Sequence, residues 1–244
     1  MLYPTKGIVL KTFKYSESSV IAKIYTSQFG IQSYMVNGVR TSNKNKQTAA
    51  LLQPLTLLDM VVYYRKNRNI QRIKEMKPIY TFTSIPFHIG KSSLALFVTE
   101  LLYNTLKEEE ENELQFDFIF DFVQTLDSTH ESIANLHLYF LLQFSGFLGF
   151  YPYNNYDNED KKIFDLQEGS FVSKYPAHLH YLQEPLSKHL SNLLNTSLEE
   201  VHFIKIGKMQ RKELLTSLLQ FYQLHIEGFK SLQSVKILQE IFGF

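Results

Sequence analysis

The feature that most constrains the fold is a change in the spacing of apolar residues near Pro86. Before this proline, short runs of β-branched and aromatic residues alternate with polar or glycine-containing breaks, a pattern typical of β-strands. After it, apolar residues recur every three or four positions, as on the buried face of an α-helix. The sequence therefore predicts an α+β protein in which a β-rich part precedes a helical part.

The β-rich part contains five predicted strands. They are expected within residues 7–15, 19–26, 31–38, 54–64 and 70–76. Because no helical connection of βαβ type separates them, the strands are predicted to close into a small antiparallel barrel. A short helical piece is expected in "KQTAALLQ", residues 46–53, between the third and fourth strands.

The helical part is recognised from stripes of apolar residues that begin at Leu94, Phe118, Ile133 and Leu214, followed by a short final helix in "SLQSVKILQEIF". A segment rich in tyrosine, asparagine and turn-forming residues interrupts these stripes. The predicted organisation is a small β-barrel domain over residues 1–80 and an all-helical domain over residues 81–244. A cysteine-free, irregular insert at 150–181 lies within the second domain.

The overall net charge of +1 conceals a strong asymmetry. Residues 1–80 contain thirteen Lys or Arg and three acidic residues, a net charge of +10, whereas residues 81–244 carry −9. Such a difference between two halves of a chain indicates two modules with different partners, one of them a polyanion. The basic module is more charged than solubility alone requires.

Several function classes are disfavoured by what the chain lacks. It has no cysteine, which excludes disulfides, thiolate nucleophiles and cysteine-bound zinc. No stretch approaches the roughly 18 apolar residues that span a bilayer. A cytoplasmic protein without a membrane association and without a cofactor is therefore expected.

Possible catalytic motifs are incomplete. Gly90-Lys91-Ser92 matches the end of a phosphate-binding P-loop, but Ile85 stands where the motif requires its first glycine. The segment is better interpreted as the beginning of a helix. His178, His180 and His189 lack a carboxylate or cysteine at a spacing that completes a metal site, and His137 lies on an apolar helical stripe. No enzyme activity is predicted.

The remaining hypothesis is nucleic-acid binding by the basic barrel. Cations fall at strand ends and turns, where they can follow a phosphate backbone, and tyrosines are interleaved with them, where they can stack on bases. The predicted DNA-binding residues are Lys11, Lys14, Arg40, Lys44, Lys46, Arg65, Lys66, Arg68, Arg72 and Lys74. The interleaved tyrosines are Tyr15, Tyr25, Tyr34, Tyr63 and Tyr64, of which half or more are expected to be core residues.

The order of short motifs along the chain resembles the bacterial recombination mediator family RecO. In the first part these motifs are Tyr15-Ser16-Glu17-Ser18, Thr26 with Phe29-Gly30, Gly38-Val39-Arg40 and Leu52-Gln53-Pro54-Leu55. The likeness continues in "FLLQFSGFLGFYPY", "FDLQEGSFVS" and the closing segment "QRKELLTSLLQFYQLHIEGFKSLQSVKIL". Many members of that family carry four zinc-binding cysteines around the second of these segments. Their absence here implies that packing, with Phe164 and Phe171 as filling, must replace the metal.

The resemblance implies a non-catalytic DNA repair protein that binds single- and double-stranded DNA through its OB-fold and anneals complementary strands without ATP. It also implies a RecR-like partner, help in loading the recombinase, and a site on the helical domain for the acidic, phenylalanine-ended C-terminal tail of single-strand-binding protein. The cations assigned to that tail site are Arg211, Lys212, Lys230 and Lys236.

Three alternatives remain open at this stage. The barrel could belong to an adapter that binds RNA, which the 2′-hydroxyl distinguishes from DNA. It could contact an acidic protein within a helical scaffold. An ATPase built on Gly90-Lys91-Ser92 would require nucleotide turnover that Lys91→Ala abolishes.

Overall fold

The computed structural model describes residues 1–39, 48–107, 110–157 and 159–243. The first part of the chain forms five strands, as predicted: β1 (Leu2–Lys14), β2 (Val20–Thr26), β3 (Gly30–Val36), β4 (Leu57–Tyr63) and β5 (Gln71–Pro78). Residues 48–51 form a short helical piece between β3 and β4, also as predicted. No helix in the described part of the chain is both long and apolar enough to cross a membrane.

The five strands close into a barrel in the order β1-β2-β3-β5-β4. Four of the pairings are antiparallel, whereas β3 and β5 pair in parallel through only two residue pairs, Tyr34 with Gln71 and Met35 with Arg72. This arrangement is the five-stranded OB-fold barrel that the sequence predicted.

The barrel interior is formed by alternate residues of each strand, as the pleat requires. Val9, Ala22, Ile24 and Met60 are buried there. Gly7 occupies a position where β1 crosses this core, because a Cβ atom at Gly7 would lie 2.5 Å from Met60 Cε and 2.7 Å from Ile24 Cγ2. A larger residue at position 7 would therefore displace the core side chains.

Two helices follow the barrel within the same compact unit, Met1–Ser128. They are α1 (Ile89–Thr105) and α2 (Glu113–Ser128). The apolar stripe predicted from Leu94 is buried, as is most of that in α2, although Phe118 is only half-buried. Tyr25 on β2 donates a hydrogen bond to Gln115 Oε1 of α2 at 2.7 Å, so the outer face of β2 is covered by this helix.

The irregular segment between β5 and α1 is held by a set of contacts that we call the Asp127 clamp. The buried Asp127 carboxylate accepts hydrogen bonds from the backbone N–H groups of Thr83, Ser84 and Ile85, at 2.7–2.9 Å. The hydroxyls of Thr83 and Tyr80 donate to the same carboxylate. A single side chain at the end of α2 thus satisfies a turn that has no regular secondary structure.

The second compact unit, Thr129–Phe244, contains the remaining helices. They are α3 (Leu136–Phe147), α4 (Leu186–Leu194), a 3₁₀ turn (Val201–Phe203), α5 (Lys208–His225) and α6 (Ser234–Phe242). Helix α3 packs against both α4 and α5. The Tyr222 hydroxyl of α5 donates to the carbonyl oxygen of Leu141 in α3 at 2.7 Å, which fixes one helix on the other.

The insert, residues 150–181, was expected to be irregular but contains most of a small antiparallel sheet. Its strands are β6 (Ile163–Asp165), β7 (Ser170–Val172) and β8 (Tyr181–Leu182), in the order β7-β6-β8. The Phe164 and Phe171 rings are buried with their centroids 4.9 Å apart, and Phe221 of α5 lies 6.0 Å from Phe164. Aromatic packing fills this region, as the absence of cysteine suggested.

The compact units divide the chain after Ser128, so the barrel and the first two helices are described together. The predicted domains, residues 1–80 and 81–244, are units expected to fold separately. Their boundaries stay a prediction.

Candidate nucleic-acid interface

The loop between β4 and β5, residues 64–70, carries three of the predicted DNA-binding residues and is named the arginine loop. Arg65, Lys66 and Arg68 are all exposed. Gln71, which is 2% exposed, lies beneath them. Its amide nitrogen donates to the carbonyl oxygens of Arg65 and Arg68 at 2.8 Å, and its amide oxygen accepts from the Arg65 N–H at 3.0 Å. One buried side chain therefore holds the loop in shape.

Strand β5 presents further cations beside this loop. Arg72 and Lys74 are exposed. Lys74 Nζ lies 3.2 Å from the Glu75 carboxylate, and Lys77 Nζ lies 3.2 Å from that of Asp59. These exposed pairs partly neutralise Lys74 and Lys77, whereas Arg72 makes no ion pair with any carboxylate that the structure describes.

Arg65, Arg68 and Arg72 converge on one depression, which we call the arginine cleft. Its volume is about 330 Å³. The residues that line it are Met1, Tyr63, Arg65, Arg68, Ile70, Gln71 and Arg72. The cleft thus combines three arginines with an exposed tyrosine, and none of the described residues that line it is acidic.

The remaining predicted cations of the barrel lie elsewhere. Lys11 and Lys14 are exposed on β1. Lys11 Nζ lies 4.6 Å from the centre of the Tyr103 ring of α1 and 5.4 Å from that of Phe13, a cation–π arrangement. Arg40, Lys44 and Lys46 fall outside the described residues. The structure therefore brings together Arg65, Arg68 and Arg72, with Lys66 on the same loop.

The five interleaved tyrosines divide as the sequence analysis anticipated. Tyr25 and Tyr34 are buried, and burial raises the pKa of Tyr34 well above its ordinary value, so its ring is part of the core. Tyr64 is half-buried and stacks on Phe29 with the ring centres 4.1 Å apart. Tyr15 and Tyr63 are exposed and remain available to a base.

Two residues beside the barrel cations, Lys23 and Gln71, were not predicted from the sequence. Lys23 is half-buried on β2 and is the register partner of Lys11. The alternation in β2 could have identified it. Ala22 and Ile24 point into the barrel, so the lysine between them must point outward. Gln71 was missed because its role depends on the conformation of the loop that precedes it, and no pattern in the sequence encodes that conformation.

The four cations predicted to bind a partner tail occupy the last two helices and their connection. Arg211 and Lys212 are half-buried in α5, Lys230 is exposed after α5, and Lys236 is exposed in the first turn of α6. Burial, followed by the Arg211 charge, lowers the pKa of His137 to about 3, which keeps this imidazole neutral. The Phe242 ring lies 5.9 Å from that of His137.

These contacts link Arg211 to the C-terminal end of α6, where Phe242 lies. Phe242 lies six positions after Lys236, which is about 9 Å along a helix. Lys208 was not predicted, yet its ammonium group lies beside Gly243, the residue that ends α6. Arg211 and Lys208 therefore flank one end of α6 and Lys236 stands at the other.

The motifs that suggested catalysis have structural roles. Lys91 Nζ donates to Ser84 Oγ at 2.6 Å and to the Asp127 carbonyl oxygen at 2.8 Å, so it supports the Asp127 clamp. His180 is hydrogen-bonded to Gln220, His189 to Gln210, and His178 lies 3.4 Å from Asp165. Among the described residues, no three His, Asp or Glu side chains are grouped to hold a metal ion.

Comparison with known proteins adds a second line of evidence. A family model described as "Recombination protein O N terminal" matches residues 1–82, and one described as "Recombination protein O C terminal" matches residues 86–233. The DNA repair protein RecO of Phocaeicola vulgatus is 36% identical over 243 residues, which covers 100% of both chains. That of Bacteroides fragilis is 37% identical over 243 residues, covering 99% of this chain and 100% of the relative.

Proposed function

Because the chain belongs to the RecO family of DNA repair proteins, we propose that its barrel binds single- and double-stranded DNA and anneals complementary strands. A role in DNA repair and recombination follows from the family itself. Annealing requires that two polyanions be brought together, which a basic surface promotes by replacing their counterions. The proposed activity needs no nucleotide and no metal.

The arginine cleft is the observation that carries the proposal. Arg65, Arg68 and Arg72 are exposed and make no ion pair with a described carboxylate, so their charges are available to a partner. Guanidinium groups bind phosphate oxygens through paired hydrogen bonds. An exposed tyrosine in the same place can stack on a base, which contributes roughly 1–3 kcal/mol.

The salt dependence of DNA binding measures how many of these charges take part. If six of the predicted cations contact phosphates, the logarithm of the affinity falls with the logarithm of the salt concentration with a slope of about −4 to −5. We include Arg40, Lys44 and Lys46 in this surface on the strength of their sequence alone.

We further propose that the protein acts with a RecR-like partner and helps load the recombinase on DNA coated with single-strand-binding protein. The acidic tail of that protein would bind the helical unit near Arg211, Lys212, Lys230 and Lys236. Support comes from Arg211 and Lys208 at one end of α6, next to the half-buried Phe242 ring. An acidic peptide that ends in an aromatic residue needs such a combination of cations and apolar surface.

Annealing of two complementary oligonucleotides, each coated with the cognate single-strand-binding protein and without nucleotide, tests the main proposal. Charge reversal of Arg65, Arg68 and Arg72 to Glu is expected to abolish fast annealing. The matched control reverses three exposed lysines of the second unit, Lys174, Lys188 and Lys205, and so makes the same change in net charge. We expect the control to anneal at nearly the wild-type rate.

Two outcomes would overturn the proposal. If both triple variants lose annealing equally, the effect follows net charge and not the arginine loop. If the wild-type protein fails to anneal DNA but binds an RNA strand of the same sequence, the adapter alternative replaces it.

The tail site requires its own experiment, because it is proposed to be independent of the barrel. Arg211→Glu with Lys212→Glu is expected to weaken binding of an acidic, phenylalanine-ended peptide and to leave DNA binding unchanged. Arg211→Gln provides a milder variant that keeps a polar side chain near His137. Equal loss of peptide and DNA binding would contradict this division between the two units.

A further inference from the structure

We infer that the arginine cleft binds the terminal phosphate of a nucleic-acid strand, with the adjoining base against Tyr63. The inference rests on the proposed nucleic-acid binding and assigns one part of that surface to strand ends. The observation behind it is that three arginines, Arg65, Arg68 and Arg72, line one depression. A surface that only tracks a backbone would distribute its cations along the path of the strand.

The size of the cleft favours one nucleotide over a longer segment. Its volume of about 330 Å³ lies at the lower end of the range for small-molecule sites, roughly 300–1,000 Å³. Tyr63 and Ile70 supply apolar surface beside the arginines. The lining therefore has one cationic portion for a phosphate and one apolar portion for a base.

The charge of the cleft favours a phosphate monoester over an internal diester. A monoester carries about −1.5 to −2 charges at pH 7 and three acceptor oxygens. An internal diester has one charge and two free oxygens. Arg65, Arg68 and Arg72 provide three cationic side chains, and no carboxylate among the described lining residues competes for them. The greater charge and the additional oxygen of a monoester therefore favour it over a diester.

The cleft is also built in advance of binding. Gln71 is bonded to the backbone of Arg65 and Arg68, and the Arg68 N–H donates to the Arg65 carbonyl oxygen at 3.1 Å, which closes the turn. Because the backbone of the loop is already fixed, binding needs to order only the side chains. Such preorganisation raises affinity by lowering the entropy lost on association.

The test compares three single-stranded oligonucleotides of one sequence, labelled internally with a fluorophore. The first has a 5′-phosphate, the second a 3′-phosphate and the third a hydroxyl at both ends. We expect the full chain to bind one phosphorylated oligonucleotide about tenfold more tightly than the hydroxyl form by anisotropy, as one added charged hydrogen bond would give. Either end offers the same chemistry, and the pair of phosphorylated oligonucleotides identifies which end is bound.

Substitutions of the cleft residues show whether the preference for a terminal phosphate arises in the cleft. Arg65→Gln, Arg68→Gln and Arg72→Gln are each expected to reduce the tenfold preference to about twofold or less. Lys66→Gln is the matched control, since Lys66 is exposed on the same loop but does not line the cleft. It should weaken binding of all three oligonucleotides equally and preserve the preference. Gln71→Met should diminish the preference without removing a charge.

The binding results distinguish a wrong terminal-phosphate site from a wrong assignment of DNA binding. Equal binding of all three oligonucleotides would overturn the terminal-phosphate site and leave DNA binding intact. A preference that survives all three arginine substitutions would also overturn it, because the site would then lie elsewhere. Absence of binding to any oligonucleotide would overturn both.

Discussion

The Asp127 clamp and the insert hold segments with little regular structure by different means. In the first unit, one carboxylate accepts hydrogen bonds from Thr83, Ser84 and Ile85. In the second, Phe164 and Phe171 fill the space with apolar surface. The backbone of Phe171 is also hydrogen-bonded there. Its N–H donates to Asn155 Oδ1 at 2.7 Å, and Asn155 Nδ2 donates to its carbonyl oxygen at 3.0 Å.

A chain without cysteine therefore has two ways to fix a segment with little or no regular secondary structure. A buried charge can satisfy several N–H groups at once, but its contribution depends on protonation. An aromatic cluster contributes through area and packing, and it has no such dependence. The two regions should therefore fail under different perturbations.

The largest effect is expected from Phe171→Ala in the insert. Removal of a buried ring leaves a cavity, and such substitutions cost about 3–5 kcal/mol in free energy of unfolding. Urea unfolding with hydrogen exchange of the β6 and β7 amides measures it. Phe203→Ala is the control, since Phe203 is 71% exposed and its loss should matter little. A loss below 1 kcal/mol for Phe171→Ala would mean that packing does not hold the insert.

A somewhat smaller effect is expected from Asp127→Asn. The amide keeps one acceptor oxygen but places an NH₂ group against backbone donors, which we estimate to cost about 3 kcal/mol. Amide exchange at Ser84 and Ile85 should accelerate while that of the insert stays unchanged. Asp121→Asn, at an exposed position of the same helix α2, is the matched control. Equal acceleration in both units would show that the clamp is not a local device.

Acid should act on the clamp through the Asp127 carboxyl. Burial raises its pKa, but hydrogen bonds from Ile85, Thr83 and Ser84 lower it more, and the resulting pKa is about 2 against the ordinary 3.8. A depressed pKa stabilises the fold above about pH 4, and this stability is lost as pH falls through 2. The loss should be about 2 kcal/mol and absent in Asp127→Asn. Free energies of unfolding at pH 6 and pH 2, in both proteins, test it.

The smallest effect is expected from a metal chelator. No metal-binding group exists among the described residues, and the insert is filled by aromatic rings. Excess chelator should therefore change the free energy of unfolding by less than about 0.5 kcal/mol. Stoichiometric zinc in the purified protein, by elemental analysis, would contradict the account of the insert.

Local patterns predicted much of this molecule. The five strands, the helical stripes and the burial of His137 follow from periodicity, which depends on near neighbours in the sequence. The exposure of Arg65, Lys66 and Arg68 was also predicted, because a turn between two strands must be exposed. Strand β1 begins at Leu2, five residues before the predicted start, since its first part pairs with β4 and not with β2.

Other features depend on contacts between distant residues and could not be predicted. The Asp127 clamp joins residues more than forty positions apart. The convergence of Arg72 with Arg65 and Arg68 depends on the bend of the loop over Gln71. The sheet of the insert has strands of two or three residues, too short for a period to be visible.

The narrow pairing of β3 with β5 has a consequence for how the barrel opens. This seam joins only Tyr34 to Gln71 and Met35 to Arg72, whereas each of the other four pairings joins six or seven residue pairs. A pairing with so few backbone hydrogen bonds is expected to open before the others in local unfolding. Gln71 and Arg72 belong both to the seam and to the arginine cleft. We therefore expect a barrel that opens at this seam to lose the cleft while its other strands stay paired.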